Sequence, residues 1–426
     1  MAQADSHPAG QEPSAGVRAT ASSGTFSPFR YPIFRSIWIA NLISNLGSMI
    51  QSIAAAWMMA ELTSSHQLVA LVQASVTLPI LLFGVLAGAI ADNFDRRRVM
   101  LAAQAGMLVV SAILAALSYA GLITPFLLLV FTLSLGIGTA LNSPAWQASV
   151  RQQVDPRELP QAIALNSVSF NIARSIGPAL GGLLISLGNV SFAFAVNAIS
   201  YIGIIGVLLG WRPQSKPVDR RPILPAVAIG IRYCVTSSPL RRILLRGLAL
   251  GFCLAGYQAL LPTAVRDNYH GTELQFGILL GLFGIGSIAA TPLVGPVRRA
   301  LHLEGALGLG ALAFVVVLLV LALAPSIALA LPAAFLGGVG WVMILTNLNT
   351  AVQMRSPDAI LGRCLSIYQA VTFGGMALGS WVWGAIADWK GLSFALVSAA
   401  AFLAVSFLIL RVIAPLPKPG EGVIQA

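Results

Sequence analysis

The chain has 426 residues, 57% of them hydrophobic and only 9% charged, with a formal net charge of +11. A water-soluble domain carries roughly a quarter of its residues as charged side chains, so the composition identifies an integral membrane protein. The basic residues stand in short clusters between apolar runs instead of covering one solvated face, which excludes a nucleic-acid partner.

Residues 1–30, rich in Ala, Ser, Gly and Pro without an apolar signal core, read as a disordered cytoplasmic tail, not a cleaved targeting peptide. A helix needs about 20 apolar residues to cross a bilayer. That length recurs near 36–60, 67–91, 99–122, 125–147, 161–187 and 191–211, which places an N-terminal bundle of six helices at 31–211. A basic central cytoplasmic loop, 212–241, follows, its segment Pro225–Arg246 reading as helical. The pattern resumes near 243–265, 275–296, 303–324, 327–350, 364–387 and 392–412, a second bundle at 242–413 with a cytoplasmic tail at 414–426.

The basic residues also orient the chain. With both termini in the cytoplasm, the clusters around Arg96–Arg98, Arg220–Arg221, Arg241–Arg242 and Arg298–Arg299 all fall inside, and only Arg266 and Lys390 fall outside. The two halves resemble each other: Pro156 matches Pro357, and GNVSFAF (Gly188–Phe194) matches KGLSFAL (Lys390–Leu396). Duplicated six-helix halves around a central loop are a common build for secondary transporters.

The stretch GAIADNFDRRR, Gly88–Arg98, sets Asp92, Asp95 and three arginines at the end of an apolar run. Gly84 and Gly88, four apart, leave one helix face flat enough for a second helix to approach. Asp92 is then expected to meet a neighbouring helix N-terminus or an arginine.

Gly88, Asp92, Arg96 and Arg97 resemble the signature loop of the major facilitator superfamily, with Asn93 and Asp95 departing from it. The D-x-F-D-R-R-R form is similar to the enterobactin-exporter-like branch of transmembrane secretion effectors. The resemblance covers nearly the whole chain after residue 30. It implies an all-α membrane protein of twelve transmembrane helices in two pseudo-symmetric bundles. It also implies that Asp92 contacts the eleventh span near Gly362 and Arg363, as a gate. The equivalent loop of the second half, Gly295–Leu301, lacks the aspartate, so the expected latch belongs to one half only.

In the fifth span, Gly177, Pro178, Gly181 and Gly182 resemble an antiporter motif associated with proton-exchanging exporters. Ala164 and Ala173 stand where that motif has two earlier glycines. Pro178 removes a backbone bond and permits a bend. Arg174, deep in the same span, is costly in a membrane and marks a functional position. Helical spacing places it on one face with Ser167, Asn171 and Pro178, a stripe expected to look into a central cavity. There Arg174 binds an anionic substrate, pairs with a carboxylate or holds backbone carbonyls at the bend.

Further cavity candidates are Asn41, Asn45, Ser48 and Ser52 on one face of the first span, with Tyr257 and Gln258 in the seventh. Asn347, Asn349 and Gln353 in the tenth, and Gln369 and Thr372 in the eleventh, complete the polar set. Trp146, Trp381 and Trp383 offer flat surfaces to aromatic substrates or anchor the interface. No carboxylate lies at mid-membrane, so proton coupling falls first to Glu61 and Asp388, which end the first and eleventh spans on the outer side, with Asp92, Asp267 and Glu273 as the alternatives. No phosphate loop, metal cluster or cofactor motif is expected among these residues, nor any enzyme activity.

The sequence therefore predicts a monomeric secondary transporter in a bacterial cytoplasmic (inner) membrane, surrounded by lipid. Its expected task is alternating-access export of a small amphiphilic compound, siderophore- or drug-like, in exchange for protons. An uptake or lipid carrier of the same fold, and a non-transporting scaffold or sensor, are the alternative readings.

Overall fold

The computed structural model describes residues 26–212, 223–357 and 360–416. The expected tail up to residue 25, the loop at 213–222 and the end from 417 onwards lie outside the described residues.

The chain before the central loop forms α1 (Pro32–Leu62), α2 (His66–Asn93), α3 (Arg96–Tyr119), α4 (Pro125–Ser149), α5 (Leu159–Leu187) and α6 (Val190–Gly210). A shorter helix, α7 (Ile223–Thr236), leads to α8 (Ser238–Thr263), α9 (Glu273–Ala290) and α10 (Val294–Leu323). The chain closes with α11 (Ile327–Gln353), α12 (Leu361–Lys390) and α13 (Leu392–Ile413). Helix starts follow the sequence. Ser65, Asp95, Thr124 and Asn189 accept hydrogen bonds from free amides of the first turns of α2, α3, α4 and α6. Thr272 and Gln275 form a reciprocal capping box at α9.

Ten described stretches are long and apolar enough to cross a membrane, and one of them, Glu273–Leu323, runs through both α9 and α10. Helix α1 is absent from that set because Asn41, Ser44, Asn45, Ser48, Gln51 and Ser52 dilute its apolar character. With α1 and the divided stretch, the twelve expected long helices are present. Two boundaries differ from expectation. Residues 26–30, expected in a disordered tail, include a 3-10 turn at Ser27–Arg30 whose Phe29 ring meets Trp38 edge-on at 5.0 Å. The tail expectation missed these residues because the aromatic anchor lies within α1, beyond the tail's own composition. Helix α10 breaks at His302 (φ 56°), so Arg298 and Arg299 sit on a short helical piece before the long segment.

Helices α1–α6 pack among themselves, as do α8–α13; across the halves, α2 meets α12 and α8, and α5 meets α9. The sequence repeat has a structural counterpart. Ser191 hydrogen-bonds Ser118 at the end of α3 (2.8 Å), and its repeat partner Ser393 donates to the Ala322 carbonyl at the end of α10 (3.0 Å).

The helices define two faces. The terminal face carries the start of α1 and the end of α13; the opposite face carries the α1–α2, α5–α6, α8–α9 and α12–α13 connections. On the opposite face one continuous apolar core includes Ile53, Trp57 and Val69 of the first half with Leu261, Phe276 and Trp383 of the second. Towards the terminal face the first half has its own separate cores, one around Ile37, Met100 and Ile204 and one around Phe34, Val150 and Leu165. The shared apolar core thus joins the halves on the opposite face.

Candidate functional site

The centre of the molecule is set by α5. Its Gly177 faces Met49 of α1, Gly181 faces Ile50 and Ile53 of α1, and Gly182 faces the backbone of Glu273 and Leu274 at the start of α9. A Cβ on Gly182 would lie 2.6 Å from the Glu273 carbonyl oxygen, so only glycine lets the two backbones meet. Helix α9 answers with Gly277, Gly281 and Gly284 against Pro178, Ser175 and Arg174. The motif residues Gly177, Pro178, Gly181 and Gly182 therefore sit where α1, α5 and α9 converge, and the glycines of α9 are a matching set that sequence reasoning missed.

That close approach carries Arg174 across the seam. Its guanidinium lies 4.8 Å from the Trp341 ring of α11 and 5.5 Å from the Phe283 ring of α9. Tyr257 of α8 stacks on Phe283 at 5.4 Å, and Phe314 of α10 closes the cluster edge-on, 6.1 Å from Tyr257. A cation over aromatic faces in a desolvated place is worth about 2 kcal/mol. No ion pair or hydrogen bond of Arg174 occurs among the described residues, so the aromatic faces are its described partners. The Tyr257 hydroxyl is buried with no hydrogen-bond partner among them. Phe283 and Trp341 gave no signal in sequence, since aromatics inside apolar runs read as packing.

The polar face expected on α1 divides between environments. Ser48 approaches Tyr201 of α6 at 3.4 Å, Asn41 is buried, Asn45 is half-buried and Ser52 is exposed. The firm polar network lies beside them: Gln51 of α1 accepts from Ser111 of α3 (2.8 Å) and from Asn197 of α6. It holds the first half together and is not aimed at the second. In the second half Gln258 is half-buried and Gln369 exposed, whereas Asn347 donates to the Met343 carbonyl of its own helix. Trp383 donates to the Phe252 carbonyl (2.9 Å), and its ring is tilted against Phe252 and edge-on to Phe402, a packing role within the second half. On α5, Asn171 is half-buried and Ser167 is exposed, its hydroxyl donating to the Ile163 carbonyl.

The charged loop after α2 is placed in part. Arg96 donates to the Ala148 carbonyl (3.0 Å), and Arg97 donates to the carbonyls of Leu208 and Leu209 (both 2.7 Å). Both cations thus satisfy carbonyls at the C-terminal ends of α4 and α6, where such groups lack helical partners. Gly84 meets only Ile80 of its own helix among the described residues. Gly88 and Asp92 are on α2, and their side-chain surroundings lie outside the described residues, as does any latch to Arg363.

At the opposite face, Trp57 donates to Glu61 (2.7 Å) while its ring stacks on Phe276 of α9 at 6.0 Å. Asp388 reaches from the end of α12 to the start of α2, where Ser65 and His66 stand. At the terminal face a buried Arg246 pairs with Glu304 (2.7 Å) and lies 5.2 Å from the Phe407 ring. Breaking such a pair strands a charge, so it joins α8, α10 and α13 firmly.

The transmembrane secretion effector family model matches residues 23–422. The enterobactin exporter EntS of Escherichia coli is 27% identical over 409 residues, covering 91% of this chain and 93% of the exporter. The staphyloferrin A transporter of Staphylococcus aureus is 32% identical over 253 residues, which span 58% of this chain and 62% of that transporter. Among solved structures, the nucleoside transporter NupG superposes with a TM-score of 0.74 at 11% identity, covering 89% of this chain and 99% of NupG. A bacterial homolog of the human lysosomal transporter Spinster, inward-facing and unoccupied, gives 0.71 at 14% identity, covering 90% and 97%. The chain is therefore a multi-pass membrane transporter that belongs to the major facilitator superfamily, within its transmembrane secretion effector family.

Proposed function

We propose that the chain exports a small amphiphilic, siderophore-like anion by alternating access, in exchange for protons, from a bacterial inner membrane with both termini in the cytoplasm. The observation that carries this reading is Arg174. It is a cation at the seam between the halves, with aromatic faces as its described partners, so an arriving anion gains a charge-assisted contact without displacing a carboxylate. The near full-length similarity to an enterobactin exporter supports the substrate class and direction.

Alternating access is supported by how the halves meet. Their shared apolar core joins them on the opposite face, and the arginine-rich starts of α3, α8 and α10 lie on the terminal face. The cluster of basic residues on the terminal face supports its being cytoplasmic. In this arrangement substrate enters from the terminal face and meets Arg174, with Asn45, Asn171 and Gln258 as further lining. Asp92 closes that face in the other state. Proton exchange is assigned to Glu61 and Asp388 on the opposite face. A single chain holds the entire path, which supports a monomer embedded in lipid.

The test uses purified protein in liposomes with an imposed pH gradient and an internal pH dye. Catecholate and carboxylate siderophores are added in turn, and wild type is compared with Arg174→Ala. Substrate-dependent collapse of the gradient in wild type alone is the expected result. Labelled siderophore moving without proton flux would overturn the exchange. Accumulation in the topologically cytoplasmic compartment would reverse the direction. No movement of any compound by folded protein would overturn the transport reading.

A further inference from the structure

Helix α2 begins with a deficit. The first amides of any helix have no partner inside it, and the Ser65 side chain satisfies only that of Leu68 (3.2 Å). The amides of His66 and Gln67 donate instead to Asp388, at 2.5 and 3.2 Å. The Ser65 hydroxyl donates to the same carboxylate at 2.6 Å. His66 Nδ1 stands 3.0 Å from Asp388 Oδ1, and because an ionised carboxylate only accepts, that nitrogen carries the proton. Four donors from the first half thus converge on one carboxylate from the last turn of α12. The other ring nitrogen of His66 faces Asp267 at 3.5 Å, on the turn after α8, and Asp267 in turn accepts from Arg266 at 2.7 Å.

The counterpart seam has no such dependence. Helix α9 is capped by its own Thr272 and Gln275, so the side-chain bonds at its start come from its own segment and not from α5. Helix α2 has its first turn fully satisfied only while α12 lies against it. Gly384 of α12, one turn before Asp388, brings the two helices close: a Cβ there would lie 2.8 Å from Ala70.

We propose that Asp388 is a latch holding the opposite face shut, a cap that α2 borrows from the other half, and that opening this face breaks its four bonds together. The latch rests on the alternating-access reading, and it assigns to the opposite face the kind of contact that the sequence suggested for Asp92 on the terminal face. His66 is its second member, tied at once to Asp388 and Asp267 of the other half.

The test reads accessibility, not flux, and needs no known substrate. Cys234, Cys253 and Cys364 are all buried, and burial beside Cys364 pushes the Cys234 thiol up to about 12, so background reaction with thiol reagents is low. In the full-length protein with these three replaced by alanine, a reporter is placed at Ala70→Cys, under α12. A second reporter, Ala395→Cys, is fully buried in the first turn of α13, a helix that packs against α8, α10 and α12 of its own half. Proteoliposomes are treated with a membrane-impermeant maleimide. Asp388→Asn is expected to raise the labelling rate at Ala70→Cys about tenfold, the effect of one lost charge-assisted bond on a closed–open balance. Asp388→Glu is expected to restore much of the protection, and Ala395→Cys to stay unlabelled in every variant. An unchanged rate at Ala70→Cys in Asp388→Asn overturns the latch. So does a rise at both reporters, which marks unfolding and leaves Asp388 a stability residue. Siderophore flux by the wild type with unchanged labelling in Asp388→Asn sinks the latch alone; the expected labelling in Asp388→Asn with no flux of any compound by the wild type sinks the transport reading alone.

Discussion

The two seams that join the halves occupy equivalent places in the internal repeat, α5 against α9 and α12 against α2, but they are made of different materials. At the first, Gly182 meets the backbone of Glu273, and Gly277 and Gly284 meet the backbones of Pro178, Ser175 and Arg174. There the helix backbones touch directly. At the second, Gly384 likewise meets backbone, a Cβ there lying 2.8 Å from the Gln67 Cα, and Gly374 meets the Leu81 side chain, but the end of this seam is tied as well by Asp388. Backbone packing without polar bonds has a single deep arrangement and suits a pivot. A cluster of directional bonds to one carboxylate is made or lost as a unit and suits a switch.

The comparison is broken most forcefully at the pivot. A Cβ on Gly284 would lie 2.5 Å from Ser175 Cα and 2.8 Å from the Arg174 carbonyl oxygen, contacts that no rotamer change relieves. Gly284→Val is expected to cost about 3 kcal/mol through overpacking, seen as the largest drop in Tm for detergent-solubilised protein. Asp388→Asn, by contrast, is expected to lower Tm less while changing accessibility far more. If Gly284→Val leaves Tm unchanged, the backbone contact is not the pivot.

Arg174 lies beside the pivot and gives the next largest effect. Truncation in Arg174→Ala removes the cation from the Trp341 and Phe283 faces, a loss of about 2 kcal/mol where solvent is excluded. Siderophore flux is expected to vanish. Arg174→Lys keeps the charge but loses the planar stacking, so flux is expected to persist with weaker substrate affinity. Equal flux in all three proteins would remove Arg174 from the path.

How much of this was legible in sequence follows the range of the interactions. Twelve helices can be read because bilayer thickness acts on each segment separately, and the residues that dilute the apolar character of α1, Gln51 and Ser48 among them, serve its contacts with α3 and α6. Gly177, Pro178 and Gly182 were readable as a packing surface, since small residues at helical spacing announce a close neighbour, but the identity of that neighbour was not. The Asp388 contact was invisible because its partners stand more than 300 residues away in the chain, and Ser65 already looks like an adequate cap for α2. His66 lies near a span end and carries no sequence signal of its own; its bridging of two carboxylates is a property of the assembled face.

The sharpest test of the difference between the seams is also the smallest in magnitude. Thr272 caps α9 as Ser65 begins α2, but its partner Gln275 belongs to the same helix. Thr272→Ala is expected to cost about 1 kcal/mol, the usual worth of a cap, read as a modest fall in Tm. That cost is the same whether the halves are together or apart, so labelling at Ala70→Cys is expected to stay at the parental rate. Ser65→Ala removes a cap of similar worth together with one of the four bonds to Asp388, so it is expected to lower Tm by a comparable amount and to raise that rate. Two caps of like chemistry would then differ only in whose helix supplies the partner. A rise in labelling for Thr272→Ala as large as for Ser65→Ala would mean that any loosening of the opposite face opens it, and the distinction between pivot and switch would fall.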